Sequence, residues 1–211
     1  MKKENLLATL SAVCLLSACS PDYEKYPSLK PDDKIMAFGD SLTYGYGGNS
    51  NNYPDTLSKL SNYEVVNYGV NGNTTTDGLR RIEESLEKEQ PQLVILSLGG
   101  NDVLRSVPKQ VIKDNLKKMV AIIKKHNAQV VLLAEPAPNA LSLFQGRPTG
   151  LEDALVYEEV AKEEKILNIG NIYSTLLSEN EYRSDLIHLN EKGYQKAGEM
   201  IFNELKEAKI L

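Results

Sequence analysis

Cysteine is scarce in this sequence: its 211 residues contain two, Cys14 and Cys19. Cys14 falls inside an apolar run, Leu6 to Leu16, that reads as part of a removable leader, so a single thiol would stay with the folded chain and no disulfide is available. Long hydrophobic runs are missing as well, because that stretch falls short of the about 20 apolar residues a membrane-spanning helix requires. No dense cluster of lysine or arginine occurs, and the formal net charge is −5 with a pI near 5.2. That balance argues against a nucleic-acid partner, which would require cations to neutralise a row of phosphates, and equally against electrostatic attraction to an anionic membrane. There is no internal repeat, no low-complexity segment and no Walker sequence, and Gly45, Gly47 and Gly48 miss the G-x-G-x-x-G spacing of a dinucleotide site.

What is present begins with an address. Lys2 and Lys3, the apolar run, and the small residues Ser17 and Ala18 before Cys19 have the layout of a secretory signal peptide. Leu16-Ser17-Ala18-Cys19 resembles the bacterial lipobox, in which the cysteine is diacylated after cleavage. The expected organisation is a leader over residues 1–18, a lipidated tether over 19–33 that is rich in proline and charge, and one folded domain over 34–211. An apolar content of 41% and a charged content of 25% suit one domain with a sizeable core. The protein is thus expected to be exported and held on a membrane through Cys19, facing the periplasm or the cell surface; Ser20 would suit outer-membrane sorting.

From Lys34 onward, short β-rich runs alternate with amphipathic stretches. The runs are Ile35 to Phe38, Glu64 to Tyr68, Leu93 to Leu98, Gln129 to Leu133 and Ile166 to Ile169. Between them Leu79, Ile82 and Leu86 recur at helical spacing, as do Ile112, Leu116, Met119, Val120 and Ile123. A last helix is expected after Asn190, a good N-cap, with Tyr194, Ala197, Met200, Ile201 and Leu205 on one face. This pattern predicts an α/β fold of three layers, a five-stranded parallel sheet between two sets of helices, with ligands bound at the carboxyl edge of the strands.

Four segments at that edge carry chemistry. Gly39-Asp40-Ser41 follows the first strand; alone it reads equally well as a turn. Asp185-Leu186-Ile187-His188 precedes the last helix, and its spacing lets the carboxylate reach Nδ1 while Nε2 faces outward, as activation of a serine hydroxyl requires. His126, the other histidine, ends a helix beside Lys124 and Lys125, where a cation suits the dipole. Asn71-Gly72 follows the second strand and Gly99-Gly100-Asn101-Asp102 the third. Either can be a plain turn, with Thr74 to Thr76 capping the next helix, or a source of donors for an oxyanion.

In this order and placement, from about Lys34 to Leu205, the four segments resemble the SGNH/GDSL hydrolase family, and Gly99 to Arg105 resembles its thioesterase/lysophospholipase/arylesterase branch. The resemblance implies a flavodoxin-like fold, Ser41 as nucleophile, His188 as base and Asp185 as its orienter. It implies an oxyanion hole from the Ser41 amide, the Gly72 amide and the Asn101 side chain, with no metal and no cofactor. The Gly-x-Ser-x-Gly elbow of other hydrolases is absent, as the family implies, and Leu189 stands where the family often has proline. The implied substrate is a small acyl ester, thioester or lipid. Two alternatives stand beside it: a carbohydrate O-deacetylase using the same residues, and a non-catalytic flavodoxin-like binding module. The Pro136 to Glu152 loop is expected to overhang the site.

Overall fold

The computed structural model describes residues 23–137 and 150–211. Cys14, Cys19, the expected leader and, in the loop expected to overhang the site, Asn139, Phe144, Gln145 and Pro148 lie outside the described residues. Five strands, β1 (Lys34–Gly39), β2 (Glu64–Gly69), β3 (Leu93–Ser97), β4 (Gln129–Leu133) and β5 (Leu167–Ile169), form one parallel sheet in the order β2-β1-β3-β4-β5. All four pairings are parallel. The third and fifth strands are each one residue shorter than their apolar runs. The Leu98 carbonyl accepts from the Tyr157 hydroxyl, and the Ile166 N–H closes the preceding helix on Ala161, so neither residue extends its strand's ladder.

Strands covered on both faces read as continuous apolar runs, and the side chains alternate between two cores. Ile35, Ala37, Leu93, Ile95, Val131 and Leu133 join one cluster. Met36, Phe38, Val94, Leu96, Val130 and Leu132 join the other. The first cluster is closed by α2 (Tyr53–Ser61), α7 (Ile172–Ser178) and α8 (Glu191–Glu207), the second by α3 (Thr75–Glu89), α5 (Lys109–Lys125) and α6 (Val156–Glu164). Two short helices, α1 (Ser41–Tyr44) and α4 (Gly100–Leu104), sit at the carboxyl edge.

Helix starts follow capping chemistry. Thr74 and Asp77 form a capping box at the head of α3, and Asn190 Oδ1 accepts from the Gly193 N–H at the head of α8. These caps fix where the two preceding loops end, and both loops belong to the site.

Residues 23–33 are not a bare tether. The Glu24 N–H donates to the Lys165 carbonyl, the Tyr26 hydroxyl to that of Val130, and the Leu29 N–H to that of Ile210. Leu29 is buried in the first core, with Tyr23 and Tyr26 packed against it. The segment forms a strap along the amino edge of the sheet, where it satisfies carbonyls that would otherwise be left open. Its lack of apolar period concealed this, because three apolar or aromatic residues suffice to hold a strap that its backbone hydrogen bonds orient.

Candidate active site

The strand order reverses direction at β1, so β1 and β3 splay their following loops apart and leave a crevice at their carboxyl ends. Gly39 ends β1 against β3 so closely that a Cβ there would lie 2.0 Å from Thr43 Oγ1 and 2.5 Å from the Ser97 carbonyl oxygen. Asp40 then caps α1, its Oδ1 accepting from the Leu42 N–H at 2.9 Å. Ser41 is the first residue of that helix, so its own N–H points out of the helix without an intrahelical acceptor.

The histidine arrives from the other end of the chain on a loop that closes upon itself. Asp185 Oδ1 accepts from the backbone N–H groups of Ile187, at 2.9 Å, and His188, at 2.8 Å. The His188 carbonyl accepts from the Ser184 N–H at 2.9 Å. That leaves Oδ2 of Asp185 for the imidazole, 2.8 Å from Nδ1. On the far side of the ring, Nε2 lies 3.1 Å from Ser41 Oγ. The carboxylate assigns the ring proton to Nδ1, so Nε2 offers its lone pair to the serine hydroxyl. Burial works against the Asp185 charge, but the Ile187 N–H and the bonds from His188 outweigh it and hold this carboxyl below its usual range. Leu189, where the family often has proline, is fully buried, and its pairing with Arg183 closes the loop.

Asn101, on α4, lines the same pocket as Ser41 and His188. Its amide donates to Asp40 Oδ2 at 2.6 Å and to the Asn73 carbonyl at 3.1 Å. Both hydrogens are thereby engaged, and donation to an oxyanion requires one of these bonds to be shared. Gly72 adopts φ +75°, a left-handed conformation suited to glycine, and its carbonyl accepts from Arg105. Among the described residues no acceptor takes its N–H. The structure thus brings Ser41, His188 and Asn101 to one pocket, with Asp185 behind the imidazole; Gly72 does not line the pocket and meets the site only through its neighbour Asn73, whose carbonyl accepts from Asn101. His126, by contrast, ends α5 at the opposite edge of the sheet.

Three residues absent from the sequence reading shape the site. Glu135, just past β4, is fully buried, accepting from the Ser97 hydroxyl at 2.9 Å and from the Gly100 N–H at 2.5 Å. It therefore fastens the start of the helix that carries Asn101. Burial and the nearby Asp40 push its pKa well up, and burial moves Asp40 up to about 7. Arg81 lies over the Phe38 ring at 3.8 Å and donates to the Gly39 carbonyl and to Asn73 Oδ1, tying the loops after β1 and β2 together. Tyr46 lies against His188. A charged residue directly after an apolar strand is the signal that would have found Glu135. Arg81 and Tyr46 leave no such trace.

The pocket is a small cleft of about 40 Å³, open to solvent on one side, and Leu104, Pro136, Leu151, Leu177, Leu186 and Ile187 line it. Such a wall receives a hydrocarbon better than a hydroxylated group. Among the described residues no three His, Cys, Asp or Glu side chains cluster in a way that would hold a metal ion.

Fold and site together define a class: a flavodoxin-like α/β/α domain carrying a Ser-His-Asp relay at the carboxyl edge of its sheet. The chain belongs to the GDSL-like lipase/acylhydrolase family, whose model matches residues 37–196. It is 37% identical over 112 residues to an arylesterase of Vibrio mimicus, covering 50% of this chain and 56% of that one. It is 31% identical over 134 residues to the thioesterase 1/protease 1/lysophospholipase L1 of Escherichia coli K12, covering 62% of each chain. The chain therefore spans a little over half the length of these relatives. The crystal structure of TesA superposes with a TM-score of 0.72 at 26% identity, covering 83% of this chain and 99% of that one.

Proposed function

We propose that this protein is a serine hydrolase that cleaves carboxylic ester or thioester bonds through an acyl-enzyme. The observation that carries the reading is the unbroken relay from Asp185 Oδ2 through His188 to Ser41 Oγ, with links of 2.8 and 3.1 Å. In this mechanism Ser41 Oγ attacks the acyl carbonyl carbon as His188 Nε2 takes its proton. The tetrahedral intermediate collapses, the alcohol or thiol leaves with that proton, and water then releases the acid by the same steps. Negative charge on the carbonyl oxygen would be met by the N–H groups of Ser41 and Gly72 and by the Asn101 amide. The apolar pocket wall supports a hydrocarbon acyl group over an acetylated sugar, which sets the O-deacetylase reading behind the esterase one. A non-catalytic binding role leaves the relay without a purpose.

Ser41→Ala tests this reading directly. It should lose hydrolysis of nitrophenyl esters by about 10⁴-fold or more while keeping its melting temperature, and a fluorophosphonate should label wild type but not the variant. Activity that survives the substitution would end the proposal. A series of esters from acetyl to palmitoyl then reads the chain length the pocket accepts.

We propose further that the protein is exported and anchored by a lipid on Cys19. The sequence around that residue supports this, and so does the strap, which hands the chain off at the edge of the sheet opposite the catalytic crevice. Cys19→Ala should move the protein from the membrane to the soluble fraction; a variant that stays with the membrane would overturn the anchor.

A further inference from the structure

Two hydrogen bonds in the ring plane hold His188, one at each nitrogen. They fix the ring along the line joining Nδ1 and Nε2 but leave its tilt about that line to whatever touches its faces. Tilt moves the Nε2 lone pair off the line to the serine hydroxyl, and hydrogen bonds weaken as that alignment is lost. One aromatic ring supplies the missing contact: the centroid of Tyr46 lies 4.6 Å from that of the imidazole, with the planes inclined at 48°.

Tyr46 is itself fixed to the nucleophile. Its N–H donates to the Ser41 carbonyl at 3.0 Å, and its own carbonyl accepts from the Tyr194 hydroxyl at 2.8 Å, with Tyr194 fully buried. The next residue presses on the histidine loop. Gly47 has φ +86°, and a Cβ there would lie 2.1 Å from Ser184 Oγ and 2.8 Å from the Leu189 carbonyl oxygen. A single short segment therefore touches the serine through its backbone, the histidine loop through Gly47 and the imidazole through the Tyr46 ring.

We propose that Tyr46 is a positioning residue for the general base: its ring holds the His188 imidazole in the attitude that accepts the Ser41 proton. The proposal rests on the serine-hydrolase reading above, and it assigns the effect to the aromatic ring rather than to the phenol hydroxyl.

Tyr46 is 49% exposed, so its truncation leaves a surface hollow and the variant folds. Tyr46→Ala should lower kcat on a nitrophenyl ester about tenfold with KM within about twofold of wild type, and Tyr46→Phe should restore kcat. The chain has two histidines, so their ring protons are readily separated by NMR. The His188 signals should carry an upfield ring-current shift in wild type and Tyr46→Phe that vanishes in Tyr46→Ala, with His126 as the unmoved control. Wild-type kcat in Tyr46→Ala, equal impairment of the Phe and Ala variants, or a loss confined to KM would each overturn the proposal. Failure of the underlying hydrolase reading is seen separately, as wild-type protein that fluorophosphonate does not label.

Discussion

At the amino edge of the sheet the chain closes on itself. The strap donates to Lys165, Val130 and Ile210, and Gln129 Nε2 donates back to the Pro27 carbonyl. At the carboxyl edge it does the opposite. Gly45, Gly47, Gly72 and Gly99 take positive φ, the acidic side chains of Asp40 and Glu135 are buried, and Tyr44, Tyr46, Val70 and Leu104 stand exposed. One edge spends its sequence on closing hydrogen bonds and burying surface. The other brings polar and catalytic groups together around a pocket. The contrast teaches that a parallel sheet gathers its chemistry at the carboxyl ends of its strands while the opposite ends are closed by hydrogen bonds and packing. Substitutions at the carboxyl edge should therefore change rate, and those at the amino edge should change stability.

After Ser41→Ala, the largest effect is expected from Asp185→Asn. The amide still fills the loop but does not hold the Nδ1 proton in place, and kcat/KM should fall about 10³- to 10⁴-fold. Stability near neutral pH should barely change, because Asp185 is about half exposed. Its lowered pKa adds one pH-dependent term with a definite sign: the contribution is present above the ordinary carboxylate range and fades as pH falls through the depressed folded value. The variant lacks that acid-side loss. Titrating thermal stability and measuring ester hydrolysis in parallel checks both halves, and a large loss of stability at neutral pH would blur the contrast between the edges.

Leu29→Ala is the mirror experiment. It removes a buried side chain from the strap and should cost about 2 kcal/mol of unfolding free energy, read by denaturant titration, with kcat unchanged. A fall in kcat would mean that the two edges are coupled through the sheet.

Glu135→Gln comes next, and it sharpens the contrast from within the reactive edge. Glutamine can still accept from the Gly100 N–H and can donate to Ser97, but it cannot repel Asp40. A carboxyl whose folded pKa is raised stabilises the fold below its unfolded pKa, and that stability is lost as pH rises through the folded value. The variant escapes the loss, so its stability relative to wild type should grow as pH rises above the ordinary carboxylate range, read by thermal melts across pH. A difference that stays constant with pH would show that burial does not raise the Glu135 carboxyl.

The same contrast explains what the sequence made legible. The carboxyl edge announced itself because its chemistry is local: Gly39-Asp40-Ser41 and Asp185 to His188 are each held within a few residues, and Asn190 caps the helix that follows. The five strands were visible because sheets covered on both faces are written as unbroken apolar runs. The strap was not visible, because Leu29 gains its burial from Ile210 and Tyr63, which are far away along the chain. Arg81 and Tyr46 were hidden for the same reason: each acts on a loop other than its own, and no local period records that. Local chemistry reads from sequence; chemistry made by loops meeting does not.

The smallest effect tests the quiet edge. The Tyr26 hydroxyl donates to the Val130 carbonyl and accepts from the Leu167 N–H, linking the strap to β4 and β5, and burial pushes its pKa up to about 12. Tyr26→Phe keeps the ring against the core and removes both bonds. Because water can reach the partly buried partners, the loss should be about 1 kcal/mol or less, read by denaturant titration, with no change in kcat or in fluorophosphonate labelling. Hydrogen exchange should quicken at Leu167 while the amides of β1 and β3 stay protected, since local opening at an edge strand need not spread to the centre of the sheet. Exchange that quickened at Ser41 as well would show that the strap supports the nucleophile through the sheet, and the division of labour between the two edges would have to be given up.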